Sequence, residues 1–89
     1  MPVLKPEEKM SLYYPYVEIL KDVRQQEVRS QSDLAIAVGL SHKYVTLVES
    51  GKRIPTLECL IALMAEAGVS RSAAEELTTE LLNMFEWKS

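Results

Sequence analysis

Apolar residues recur every three or four positions along most of this chain, which is the spacing of one face of an α-helix. This spacing predicts a first helix over residues 14–27, in which the apolar face is formed by Tyr16, Ile19, Leu20 and Val23. Residues 1–13 show no clear period and contain two prolines, so we interpret them as an N-terminal arm or lead-in.

Two short helices are predicted next. Ser30 followed by Asp33 is a variant of the capping box and begins a second helix of about two turns. Gly39 can adopt the left-handed conformation that ends a helix, and Ser41 can cap a third helix over residues 42–50. The pattern therefore predicts two helices joined by a turn of three residues.

A fourth helix begins after Thr56 and ends at Gly68, and its apolar residues are Leu57, Leu60, Ile61, Leu63 and Met64. For the last helix we favour Ser72 over Ser70 as the cap, because Glu75 follows Ser72 at capping-box spacing. The pattern as a whole predicts an all-α fold of five helices without strands.

Composition narrows the class of protein. With 89 residues, 47% hydrophobic and 26% charged, the chain is typical of one small globular domain. A single cysteine and a single histidine offer neither a disulfide nor a metal-ligand set, so we expect no metal and no cofactor. No apolar stretch approaches the length of a membrane span and no signal peptide is evident, so we expect a cytoplasmic protein with no membrane association.

Charge is distributed unevenly along the chain. Residues 24–53 carry five basic and three acidic side chains, whereas residues 54–89 carry two basic and six acidic ones. The net charge of -3 therefore conceals a positive middle segment. A protein that touches DNA with one face needs positive potential only on that face.

A helix-turn-helix places its second helix in the major groove of DNA. Here that unit lies within a longer series of motifs, namely SQSDLA at 30–35, GLS at 39–41, YV at 44–45, ESGKRIP at 49–55, the apolar segment 60–63 and GVS at 68–70. In order and spacing this series resembles the Cro/repressor-type (xenobiotic response element, XRE) helix-turn-helix family over roughly residues 20–72. The resemblance implies a compact five-helix, lambda-repressor-like DNA-binding domain that usually binds a palindromic operator of double-stranded DNA as a homodimer.

The resemblance also implies roles for particular residues. Gln31 would contact a phosphate or support the first base-reading residue. The residues that would face base edges are His42, Lys43, Thr46 and Leu47. Those that would bind phosphates are Ser41, Tyr44, Lys52 and Arg53. These side-chain types suit the roles, because lysine donates to guanine acceptors and threonine or leucine can meet a thymine methyl group. An inward orientation of Leu47, into the core, is an equal alternative.

Two further expectations concern the support of the third helix. Arg24 and Glu49 match positions that form a structural ion pair in relatives of the lambdoid repressor type, which would tie the third helix to the first. Val28 and Arg29 replace a glycine and an apolar residue that are common in the family. The loop between the first two helices can therefore differ in shape, and Arg29 is a candidate for an additional phosphate contact.

We divide the chain into the lead-in (1–13), the DNA-binding domain (14–72) and a C-terminal helix (73–89). The apolar residues of the last segment either close the core of the monomer or form a two-fold interface, and they are Leu77, Leu81, Met84, Phe85 and Trp87. We favour the interface, because a small domain gains affinity by binding two half-sites about 34 Å apart.

The sequence thus favours a transcriptional regulator, most often a repressor, with no enzymatic activity because no catalytic constellation is evident. One alternative is an antitoxin that masks a toxin with its apolar segment 81–87 or its N-terminal arm and represses its own operon. Another is a helix-turn-helix that no longer contacts DNA and serves as a docking module.

Overall fold

A computed structural model describes residues 3–88, and within that range the chain forms five α-helices and no strand. They are α1 (Pro6–Gln26), α2 (Gln31–Val38), α3 (His42–Glu49), α4 (Leu57–Ala67) and α5 (Arg71–Asn83). The prediction of an all-α, five-helix fold is confirmed. Residues 1–2 of the predicted lead-in and residue 89 of the predicted C-terminal segment lie outside the described residues.

The start of α1 differs from the prediction. The helix begins at Pro6, so most of the segment 1–13 is helical and the interpretation of that segment as an arm is wrong. The backbone N–H of Lys5 donates to Glu8 Oε1 at 2.9 Å, which caps the new N-terminus, and Leu12 and Tyr13 are buried. The extra turns are therefore stabilised by burial against the rest of the domain.

Hydroxyl caps start the four later helices. The side-chain oxygen at each N-cap accepts from the backbone N–H three residues on, and the caps are Ser30, Ser41, Thr56 and Ser70. The expectation that Ser72 caps α5 is wrong, since the Ser70 hydroxyl accepts from Ala73 N at 3.4 Å. Gly39 ends α2 with a φ of 75°, a conformation that glycine adopts without a steric penalty.

The core lies where the five helices meet. α2 packs against α3 and α4, while α1 packs against α3, α4 and α5. The side chains with no exposed surface are Leu20, Leu34, Val45, Leu60, Leu63 and Leu77. Leu77 was predicted to lie in a dimer interface, and that prediction is wrong for this residue, because α5 packs on α1 and α4 through it. The helices thus enclose one core and leave one face of α3 outside it.

Candidate nucleic-acid interface

α2, the turn at residues 39–41 and α3 form a helix-turn-helix. The backbone N–H of Leu40 donates to the Ala35 carbonyl oxygen at 2.9 Å, which closes the turn directly after α2. On α3, Val45 and Val48 are buried against the core. The orientation of α3 is therefore set by its apolar face, and its polar face is left exposed.

The exposed face of α3 carries three of the residues that were predicted to read bases, namely His42, Lys43 and Thr46. Leu47 is half-buried, so the structure places it between the outward and the inward orientation. Ser41 is exposed, and its hydroxyl already accepts from the Tyr44 N–H at 3.0 Å. The proton of the Ser41 hydroxyl is not used in this bond.

Arg24 and Glu49 form a bidentate ion pair below this face. Arg24 Nε lies 2.7 Å from Glu49 Oε2 and Arg24 Nη2 lies 2.8 Å from Glu49 Oε1, with the two residues 8% and 4% exposed. The remaining Arg24 nitrogen, Nη1, donates to the Arg29 carbonyl oxygen at 2.7 Å. One guanidinium therefore connects α1, the loop before α2 and the last residue of α3.

Gln31, the first residue of α2, joins the same network. Its Nε2 donates to Glu49 Oε1 at 3.0 Å, and its Oε1 accepts from the Thr46 hydroxyl at 2.8 Å. Sequence reasoning missed both bonds, because partners 18 and 15 residues away give no local signal. Gln31 is only half-buried, so it also faces outward beside Thr46.

Lys52 and Arg53 lie exposed in the turn that follows α3. Their backbone N–H groups both donate to the Leu47 carbonyl oxygen, at 2.9 and 3.1 Å, which fixes the backbone of this turn. The Arg53 guanidinium lies over the Tyr44 ring at 5.3 Å, within the range of a cation–π interaction. The cations are therefore presented from an ordered turn.

Tyr44 itself is half-buried beside α4. Burial, followed by a hydrogen bond with Cys59, raises the pKa of its hydroxyl above the ordinary value. The hydroxyl therefore stays protonated at neutral pH. Its ring serves as a platform for Arg53.

Arg29, predicted as an additional phosphate contact, is turned toward α4. Its Nη1 donates to the Glu66 carbonyl oxygen at 2.5 Å and its Nη2 lies 3.2 Å from Glu66 Oε1. The neighbouring Val28 has a φ of 56°, in the left-handed region that a β-branched residue rarely adopts. The loop between α1 and α2 thus keeps, at a valine, the left-handed backbone conformation that suits glycine, and the next side chain is bonded to α4.

The C-terminal residues line an apolar groove of about 710 Å³. Its walls come from the N-terminal part of the chain, the start of α4 and the end of α5. Leu81 and Phe85 are half-buried at this groove and Trp87 is 73% exposed. Met84, 43% exposed, does not line the groove. The Trp87 indole N–H donates to the Leu82 carbonyl oxygen at 3.0 Å, which folds the last residues back toward α5.

Within residues 3–88, no cluster of three or more histidine, cysteine, aspartate or glutamate side chains is arranged to hold a metal ion.

None of the helices in the part of the chain that the structure describes combines the length and the apolar character needed to cross a membrane.

The fold and the exposed face of α3 define a small, all-helical DNA-binding protein. The sequence matches the helix-turn-helix family over residues 20–73, and the chain belongs to this family, of the Cro/repressor (XRE) type. It is therefore a DNA-binding protein of the transcription-regulator class. No curated protein and no solved structure gives a significant match to the chain.

Proposed function

We propose that the chain is a sequence-specific repressor that binds a palindromic operator as a homodimer, with α3 in the major groove. The observation that carries the proposal is the exposed polar face of α3, which lies beside an ordered cationic turn and is held by a buried ion pair. A bound dimer would exclude polymerase from an overlapping promoter.

The residues divide into two groups by what they offer. His42, Lys43 and Thr46 lie on the exposed face of α3 and suit base edges, which are read by directional hydrogen bonds and methyl contacts. Lys52 and Arg53 lie in the turn and suit phosphates, which position the protein without carrying sequence information. Gln31 and Tyr44, half-buried at the margins of this face, are the candidates for further contacts with the DNA backbone.

The distribution of unpaired cations supports DNA binding by the exposed face of α3. Of the five cations in residues 24–53, Arg24 is paired with Glu49 and Arg29 with Glu66. Lys43, Lys52 and Arg53 have no ion-pair partner among residues 3–88. The positive charge of this segment that has no ion-pair partner therefore lies on α3 and the turn that follows it. A polyanion such as DNA would be attracted most strongly there.

For the dimer we propose that a second copy of the chain fills the apolar groove. Pro55, Thr56 and Leu57 line the groove and begin two residues after Arg53, so the groove lies next in the chain to the turn that carries Lys52 and Arg53. A two-fold axis that runs through the groove toward the DNA-facing side would place both cationic turns on the same side of the dimer. Val3 and Trp87 are 82% and 73% exposed. On pairing, their apolar surface would be removed from water, which favours the dimer.

Selection of bound fragments from a random DNA library, together with the mass of the complex, tests the proposal. We expect a short palindrome bound by two chains, with half-sites about one helical turn apart. Failure to enrich any sequence over random DNA at moderate salt would contradict it.

The groove also bears on the antitoxin alternative. If the free chain is monomeric and a toxin-like protein encoded beside it co-purifies through the groove, the occupant is that partner and the homodimer proposal fails. Loss of that complex on Leu82→Glu, with Ile36→Glu as the control at another exposed apolar residue, would identify the groove as the binding surface.

A further inference from the structure

The hydroxyl of Thr46 lies between two hydrogen-bond acceptors. Its Oγ1 is 2.8 Å from Gln31 Oε1 and 3.0 Å from the backbone carbonyl oxygen of His42. A hydroxyl has one proton and two lone pairs. Whichever acceptor takes it, the proton of Thr46 points away from the solvent-facing side of α3.

The direction of the Gln31 amide follows from Glu49. A carboxylate can only accept hydrogen bonds, so the NH₂ group of Gln31 must face Glu49 Oε1, 3.0 Å away, and the amide oxygen must face Thr46. The reversed amide would set its oxygen against the carboxylate. That carboxylate is 4% exposed and paired with Arg24, so it cannot turn away into solvent.

We infer that Glu49 is a positioning residue that fixes, through Gln31, the polarity with which Thr46 reads a base. Thr46 offers DNA its lone pairs and its methyl group. It accepts from the exocyclic amino group of adenine or cytosine and does not donate to N7, O6 or O4. This inference rests on the proposed function, since it takes Thr46 to face base edges.

Glu49 has two separate roles. The ion pair with Arg24 holds α3 against α1, which is a matter of stability. The bond to Gln31 keeps the amide oxygen, and not the NH₂ group, toward Thr46, so the lone pairs of the Thr46 hydroxyl stay free for a base, which is a matter of specificity. A residue that is almost fully buried thereby contributes to base recognition without touching DNA.

The first test needs no DNA. In nitrogen-resolved NMR spectra of the free protein, we expect one side-chain amide proton of Gln31 to be shifted downfield by the carboxylate, and Glu49→Gln to remove that shift. Glu66→Gln is the matched control, because Glu66 also pairs with an arginine but does not contact Gln31. A Gln31 amide signal that is the same in wild type and Glu49→Gln overturns the inference, whether or not the chain binds DNA.

The second test uses the selected operator with base analogues. Thr46→Val keeps the shape of the side chain and its methyl group but removes the hydroxyl. The operator position whose base preference changes in this variant is therefore the position that the hydroxyl reads. At that position the exocyclic amino group of the adenine or cytosine is deleted, and in a separate duplex N7 of the purine in the same base pair is replaced by carbon.

We expect deletion of the amino group to weaken wild-type binding about fivefold more than Thr46→Val binding, as for one neutral hydrogen bond. Replacement of N7 should weaken both proteins equally. Coupling of the hydroxyl to N7, or coupling to neither group on an operator that is bound specifically, overturns the inference. Absence of specific binding, in contrast, overturns the proposed function, and the NMR test then decides the role of Glu49 by itself.

The positioning role of Glu49 is tested by repeating these binding measurements, with and without Thr46→Val, in the Glu49→Gln protein. We expect the coupling to the amino group to fall below about twofold, because Gln31 can then turn its NH₂ group toward Thr46 and occupy a lone pair. Gln31→Met removes the amide and leaves the Arg24 pair intact, so the Thr46 hydroxyl donates to the His42 carbonyl oxygen and the coupling to the amino group should persist. Unchanged coupling in Glu49→Gln, or loss of coupling in Gln31→Met, overturns the assignment.

Discussion

Arg24 and Glu49, 25 residues apart in sequence, meet in two parallel N–H···O bonds of 2.7 and 2.8 Å in a site that is almost closed to solvent. The guanidinium matches both carboxylate oxygens, a geometry that a lysine could not reproduce. Since Arg24 lies near the end of α1 and Glu49 is the last residue of α3, the pair fixes α3 against α1, the longest of the five described helices.

Arg24→Ala should destabilise the domain by about 3–5 kcal/mol, because it leaves the Glu49 carboxylate buried without its cation. Urea denaturation measures this loss. Arg71→Ala is the matched control, since its pair with Glu75 is exposed and should contribute less than about 1 kcal/mol. Equal losses in the two variants would show that the Arg24 site is open to water.

Lys52→Ala and Arg53→Ala should each weaken DNA binding to all sequences alike. For each phosphate contact removed, the slope of log K against log salt should fall in magnitude by about 0.9 per subunit. Titrations of one operator and one random duplex at several salt concentrations measure both effects. Arg71→Ala, which changes a cation on α5, should leave the slope unchanged. A loss confined to the operator would instead assign base reading to the turn.

Stability should fall at alkaline pH through Tyr16. Burial first, and then the hydrogen bond to Glu80 and the charges of Glu80 and Glu76, raise the pKa of Tyr16 from 10.0 to about 12. Between these values the unfolded chain releases the phenolic proton and the folded chain keeps it, so the stabilisation present below pH 10 is lost as the pH rises toward 12. Tyr16→Phe should reduce this decline in the free energy of unfolding. Parallel pH profiles for the two proteins would contradict the assignment.

Leu82→Glu should disrupt the proposed homodimer, because it places a charge at the wall of the groove where 46% of the leucine is exposed. Sedimentation equilibrium should give the mass of two chains for the wild type and of one for the variant. Ile36→Glu, at a residue 76% exposed on α2, should remain dimeric. A wild-type monomer, or a dimer in both variants, would exclude the groove as the interface.

The helix-turn-helix unit could be predicted because its signals are local. Ser30 and Ser41 cap helices within three residues, and Gly39 ends α2 by its own conformation. The start of α1 could not be predicted in this way. Pro15 is a strong local signal for the first turn of a helix, yet it lies inside α1. The burial of Leu12 and Tyr13, which precede Pro15, stabilises the helix beyond that signal.

The supporting contacts of the site were only partly predictable. Family resemblance pointed to Arg24 and Glu49, but the link from Glu49 through Gln31 to Thr46 depends on the angle at which α2 crosses α3. The same limit applies to Leu77, whose apolar character suits a core and an interface equally well. Only the packing of α5 on α1 and α4 distinguishes the two.

The central claim is that α3 reads DNA sequence while the turn after it supplies affinity. Selection from a random library, carried out in parallel with wild type, Lys43→Ala and Lys52→Ala, tests it most directly. We predict that Lys43→Ala changes the preferred base pair at one position in each half-site, and that Lys52→Ala selects the wild-type sequence with lower affinity. Identical selected sequences for wild type and Lys43→Ala, or a changed sequence for Lys52→Ala, would contradict the account.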